Sequence, residues 1–171
     1  MIRYCFVYQV VIMDKKKKER RYSRIYDQIA GLLNKTEDRM ARMATITAVL
    51  HQKMEYFFWT GFYTIRNNEM TVMSYQGPVA CQILARDSGV CWAAYNQKET
   101  VIVEDVEQFP GHIACDSRSK SEIVIPLFDN TGAIYGVFDI DSTELSSFDE
   151  VDKHWLEKIA CLIDHPEETG L

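Results

Sequence analysis

The chain has 171 residues, 47% of them hydrophobic and 26% charged, with a formal net charge of -6. That is ordinary globular composition, enough for one domain with a real core; it excludes a disordered chain, and no apolar run is long enough to cross a bilayer. The charge is split, with 12 Lys/Arg against 6 Asp/Glu in residues 1–58 and 7 against 19 in residues 59–171, so the acidic part is a poor phosphate binder and nucleic acid is set aside as a substrate. An acidic pocket there would suit a ligand that carries an ammonium group.

Residues 1–12 are apolar and β-prone. They read either as an extra edge strand or as a stretch ahead of a start at Met13, and they lack the cleavage site of a signal peptide. The run of lysines at 15–18, with Arg20 and Arg21, reads as a solvated lead-in to a helix, since no aromatic residues interleave with the charges. The expected organisation is a tail over 1–20, one domain over 21–165 and a short tail over 166–171.

Tyr22, Ile25, Tyr26, Ile29, Leu32 and Leu33 recur at helical spacing and predict a first amphipathic helix. Asn34 and Glu37, three apart, are expected to cap a second helix running to Met54, with Met40, Met43, Thr47, Leu50 and Met54 along one face. Residues 56–65 are aromatic and β-branched and predict a strand. Asn67-Asn68 turns the chain, and residues 70–75 return as its hairpin partner. Trp59 and Tyr63 are four apart on that strand and so share a face.

Gly77-Pro78 breaks the order, and Cys81 and Cys91 bracket a loop leading into a short helix over 90–96. A strand over 100–104 follows, then a long loop over 105–120 of the kind that carries function in compact domains. Strands over 122–128 and 133–140 form a second hairpin around Asn130-Thr131-Gly132. Ser146 or Ser147 is expected to cap a last helix with Val151, Trp155, Ile159 and Leu162 on one side. The order predicts an α+β domain, a mainly antiparallel sheet with helices packed on one face.

Five widely spread cysteines, without a clear signal peptide, argue for reduced thiols in the cytoplasm rather than a secreted disulfide framework. Cys115 stands out among them. It lies in a small polar loop rather than an apolar run, and Arg118 and Lys120 nearby would favour its reactive thiolate form. Asp139 and Asp141, two apart on a strand, share a face, and their repulsion should raise at least one pKa. A carboxyl that keeps its proton near neutral pH can act as a general acid. Glu122 is a third candidate, and Trp59 with Tyr63 would wall a small apolar slot. The spacings His112-x-x-Cys115 and Cys81-x9-Cys91 lack the tight pairs of structural zinc, so no metal is expected.

Four segments carry a resemblance: Trp59-Thr-Gly-Phe-Tyr63, Gly111-His-Ile-Ala-Cys-Asp116, Ser121-Glu-Ile-Val-Ile-Pro-Leu127 and Gly136-Val-Phe-Asp-Ile-Asp-Ser142. Together they resemble the GAF-domain free methionine-(R)-sulfoxide reductases, over residues 22–163. The resemblance implies a GAF-like fold and reduction of free L-methionine (R)-S-oxide. It implies Cys115 as the catalytic cysteine, with Cys81 and Cys91 as further family cysteines of which one resolves the oxidised intermediate. It implies Glu122, Asp139 and Asp141 as substrate carboxylates, and Trp59 and Tyr63 as the wall around the methylthio end. It also implies recycling by thioredoxin or a similar dithiol, no cofactor, no membrane, and a homodimer. A non-catalytic GAF sensor of a small amine-bearing ligand is the alternative. Trp92 stands where that family is expected to have a small residue, so the Cys91 loop is expected to shift, and the choice between Cys81 and Cys91 stays open.

Overall fold

The computed structural model describes residues 15–111 and 115–165. The alternatives for residues 1–12, the start at Met13, the residue His112 and the tail 166–171 lie outside the described residues. The element order is α1 (Lys15–Leu33), α2 (Arg39–Lys53), β1 (Trp59–Arg66), β2 (Glu69–Gln76), β3 (Ile83–Leu84), α3 (Gly89–Gln97), β4 (Val101–Val103), a 3-10 turn (Val106–Gln108), β5 (Ser121–Phe128), β6 (Ile134–Ser142) and α4 (Glu150–Cys161). Among the described residues no helix is long and apolar enough to cross a membrane.

The strands form one antiparallel sheet in the order β3-β2-β1-β6-β5-β4. Its two expected hairpins are present. Asn67 and Asn68 both take positive φ, 51° and 65°, the backbone that lets a two-residue turn follow the twist of its strands. The edge strand β3 was not predicted, because two residues are too few to display a period of two.

The sheet departs from expectation in what covers it. Helices α1, α2 and α4 pack on one face, over Phe62, Ile123, Ile125, Phe138 and Ile140. The short helix α3 covers the other, where Trp59, Tyr63, Val124 and Val137 meet Val90, Cys91, Trp92 and Ala94. The physical reason is legible in β5, which is buried from Ser121 to Leu127 without alternation, the pattern of a strand covered on both sides.

Three local expectations need correction. Asp38, not the Asn34–Glu37 pair, caps α2, its side chain accepting from the Ala41 amide at 2.7 Å. Asp149, not Ser146 or Ser147, caps α4; it accepts from Val151 N at 2.8 Å and from Asp152 N at 3.3 Å, while the Asp152 carboxylate accepts from Asp149 N at 2.8 Å, so Asp149 and Asp152 form a reciprocal capping box. Ser147 instead donates to Glu144 O and Ser142 Oγ, and Ser146 sits at φ 51°. Finally, the lysine run is not wholly solvated. It forms the first turn of α1, and Lys18 is buried there, paired with Asp152 and 3.2 Å from Asp149. Asp152 also accepts from the Tyr22 hydroxyl at 2.7 Å and the Tyr56 hydroxyl at 2.5 Å. One buried carboxylate thus ties α1, the start of α4 and the segment before β1 together.

Candidate active site

The α3-covered face of the sheet holds a cavity of about 220 Å³, and strand register dictates its floor. Trp59 pairs with Asp141, and Asp141 in turn pairs with Glu122, so three adjacent strands set these side chains in one row. Asp139 lies two residues along on the same face, beside Gly61 and Val124. All eight residues singled out from the sequence line this cavity: Cys81, Cys91, Cys115, Trp59, Tyr63, Glu122, Asp139 and Asp141.

Three carboxyl groups so close, with no Lys, Arg or His among the described lining residues, do not all ionise at neutral pH. Burial, then Asp139 and Asp141, pushes Glu122 well above the usual carboxylate range. Burial followed by Asp141 does the same to Asp139. Burial pushes Asp141 up to about 7; a hydrogen bond from Ser119 pulls it down and Asp116 pushes it up. The floor therefore offers both a proton donor and negative charge. Asp139 Oδ1 and Trp59 Nε1, on two residues that line the cavity, are buried without a hydrogen-bond partner, so an acceptor and a donor are left unsatisfied there.

The thiols occupy different depths. Cys115 and Cys81 are joined in a disulfide at the cavity mouth, 5.7 Å apart at Cα and 34 residues apart in sequence. Tyr63 steadies the Cys81 segment, its hydroxyl donating to Cys81 O at 3.3 Å. Cys91 lies inside as a buried free thiol on the first turn of α3. Burial, then Asp139 and Glu122, pushes that thiol well up. Trp92 is absorbed into the core between α3 and the sheet, so its bulk does not turn Cys91 away from the cavity.

The basic residues expected to favour a Cys115 thiolate are Arg118 and Lys120. Arg118 lies back on Asp116, at 2.9 and 2.7 Å, and over the Phe58 ring at 4.8 Å. Lys120 pairs with Glu107 at 2.6 Å. Both charges are engaged by partners of their own.

Sequence reasoning missed Tyr75, Gly61 and Ser119. Trp59 is stacked between Tyr63 and Tyr75, at 5.7 and 5.5 Å between centroids. It lies over Gly61, where a Cβ would collide with the indole. The glycine inside an aromatic strand was the available signal, since such a glycine often marks a close approach. Ser119 had none; only the fold places it against Asp141.

A family model described as GAF domain matches residues 28–163. GAF domain-containing protein A of Dictyostelium discoideum is 46% identical over 154 residues, covering 90% of this chain and 96% of that protein. The free methionine-R-sulfoxide reductase of Escherichia coli is 35% identical over 125 residues, covering 73% and 75%. Among solved structures, the free methionine-R-sulfoxide reductase of Neisseria meningitidis in complex with its substrate superposes with a TM-score of 0.82. It is 38% identical, covering 88% of this chain and 90% of that one.

Proposed function

The chain belongs to the GAF-domain free methionine-(R)-sulfoxide reductases, and from that premise we propose that it reduces free L-methionine (R)-S-oxide through the Cys115 thiol. The observation that carries this reading is a disulfide-bonded thiol pair at the mouth of an acid-floored, aromatic-walled cavity. In the reduced protein the Cys115 sulfur attacks the sulfoxide sulfur. A protonated carboxyl of the floor donates to the departing oxygen. The protonated oxygen then passes from the substrate sulfur to the Cys115 sulfur as the S–O bond of the sulfoxide and the new bond between the two sulfurs both break, so methionine leaves as the thioether and Cys115 is left as a sulfenic acid. The Cys81 thiol then condenses with it, releasing water and forming the disulfide. An external dithiol of the thioredoxin class restores both thiols by exchange and leaves oxidised itself.

The cavity also supports the choice of a free amino acid. An ammonium group placed among Glu122, Asp139 and Asp141 meets charge and the unsatisfied Asp139 Oδ1. In a polypeptide that nitrogen is an uncharged amide, and the same carboxylates would be desolvated without return. The stacked Trp59 and Tyr63 rings suit the methylthio end, since sulfur packs well against aromatic edges.

A thioredoxin-coupled assay with each epimer of free methionine sulfoxide tests this. The R epimer should be turned over and the S epimer not. Cys115→Ser should bind ligand without turnover. Turnover by that variant would remove the thiol mechanism, and ligand binding by wild type without turnover of either epimer would leave a small-molecule sensor.

A further inference from the structure

We propose that Cys91, Glu122 and Asp139 form a binding site for a thiophilic divalent cation of the zinc class, and that the loaded site excludes substrate. The three residues come from α3, β5 and β6, and their ligand atoms all lie within 4.8 Å of one another. They are 5%, 7% and 7% exposed. A tetrahedral zinc ion with Zn–S near 2.3 Å and Zn–O near 2.0 Å sets its ligands roughly 3.5 Å apart. Small side-chain rotations therefore close the site.

A second observation points to a ligand here independently of the clustering. Asp139 is buried and lines the cavity, and its Oδ1 has no hydrogen-bond partner; no Lys, Arg or His among the described residues lines the cavity to supply one. A cation supplies what that oxygen lacks. One sulfur and two carboxylates favour zinc over calcium or magnesium, which take oxygen ligands in greater number. Three protein ligands leave a fourth position open towards the cavity.

The cation would be an inhibitor and not a cofactor. It would sit on the carboxylates that the reductase reading assigns to the substrate ammonium, and like charges exclude each other. This consequence rests on that reading; the binding itself does not. Cys81 and Cys115 take no part, so the site survives oxidation of that pair.

The test uses the full chain in its disulfide form, where only Cys91 among the cavity thiols can ligate. Zinc ion is titrated against a chromophoric chelator, and cobalt ion is added separately to read thiolate-to-metal absorption. One zinc per chain is expected, with a sulfur-to-cobalt band. Cys91→Ala and Asp139→Asn should each weaken zinc at least tenfold, and Cys91→Ala should abolish the band; circular dichroism confirms that each is folded. No stoichiometric zinc in the wild type, or unchanged zinc affinity in folded Cys91→Ala, overturns the site. In the reductase assay zinc should raise the apparent KM, reversed by chelator. Zinc bound without effect on KM overturns the inhibition alone, and a metal-free protein inactive on the sulfoxide overturns the reductase reading while the titration still stands.

Discussion

Gly61→Ala puts one methyl group under the aromatic wall, and its consequence can be worked from distances. A Cβ at this position would meet Cβ of Tyr75, and Cη2 and Cζ2 of the Trp59 indole at 2.5 and 3.0 Å. Carbon atoms settle at about 3.5–4.0 Å, so something must move by roughly 1 Å. Tyr75 sits opposite Gly61 in the β1–β2 pairing, so the two strands must part there, and the indole is pushed into the cavity and off its stack with Tyr63 and Tyr75. Overpacking of this kind costs about 1–3 kcal/mol. Expressed in substrate binding, that is a KM raised roughly 5- to 150-fold. Expressed in the fold, it lowers Tm by roughly 2–12 °C. Steady-state kinetics on the R epimer and thermal melts measure the two parts. In a double-mutant cycle Gly61→Ala should add little to the KM effect of Trp59→Ala, because the colliding ring is gone. Wild-type KM and Tm in Gly61→Ala would refute the close-packing argument.

Other outcomes follow from the same geometry. After one turnover without reductant, Cys91→Ser should still show one intramolecular disulfide by non-reducing mass analysis, whereas Cys81→Ser should hold a trappable sulfenic acid on Cys115; a disulfide in Cys81→Ser would reassign the resolving role to Cys91. Acetylating the amine of the substrate removes a hydrogen bond between charged groups worth about 1.5–3 kcal/mol, so kcat/KM should fall roughly 10- to 150-fold. An undiminished rate would detach the carboxylates from amine recognition. Lys18→Met leaves Asp152 buried but still bonded to Tyr22, Tyr56 and the Asp149 amide. The loss is then at the low end for a broken buried pair, ~3 kcal/mol, or roughly 6–12 °C in Tm. Burial already raises Asp152, with Lys18 pulling it down, and the variant raises it further. A carboxyl raised in the folded state gives stability that is full below the unfolded value of about 3.9 and is lost as pH rises through the folded value. The Tm deficit of Lys18→Met should therefore be larger at pH 7 than at pH 4, and a deficit independent of pH would argue against the pair.

What the sequence by itself determined is what local periodicity and chemistry can encode. Trp59 and Tyr63 share a face because a strand repeats every two residues, and Asp139 and Asp141 share theirs for the same reason. The Asn67-Asn68 turn, both hairpins and the polar setting of Cys115 are likewise properties of a few neighbouring residues. The resemblance carried by four short segments supplied the family. Capping was the weak point even locally, because Asp38 and Asp149 compete with nearby residues of equal intrinsic fitness and the packed helix decides among them.

The tertiary structure decided everything that depends on which face meets which element. Nothing in the spacing of Cys81, Cys91 and Cys115 says that the first and third are bonded while the second lies beneath. That follows from α3 crossing to the opposite face of the sheet from the other helices, which buries Cys91 over Glu122 and Asp139. Lys18 is buried for a similar reason, its partner Asp152 lying 134 residues away. Contacts of this range arise when apolar faces find cover, and a periodic pattern states that a face must be covered without stating by what.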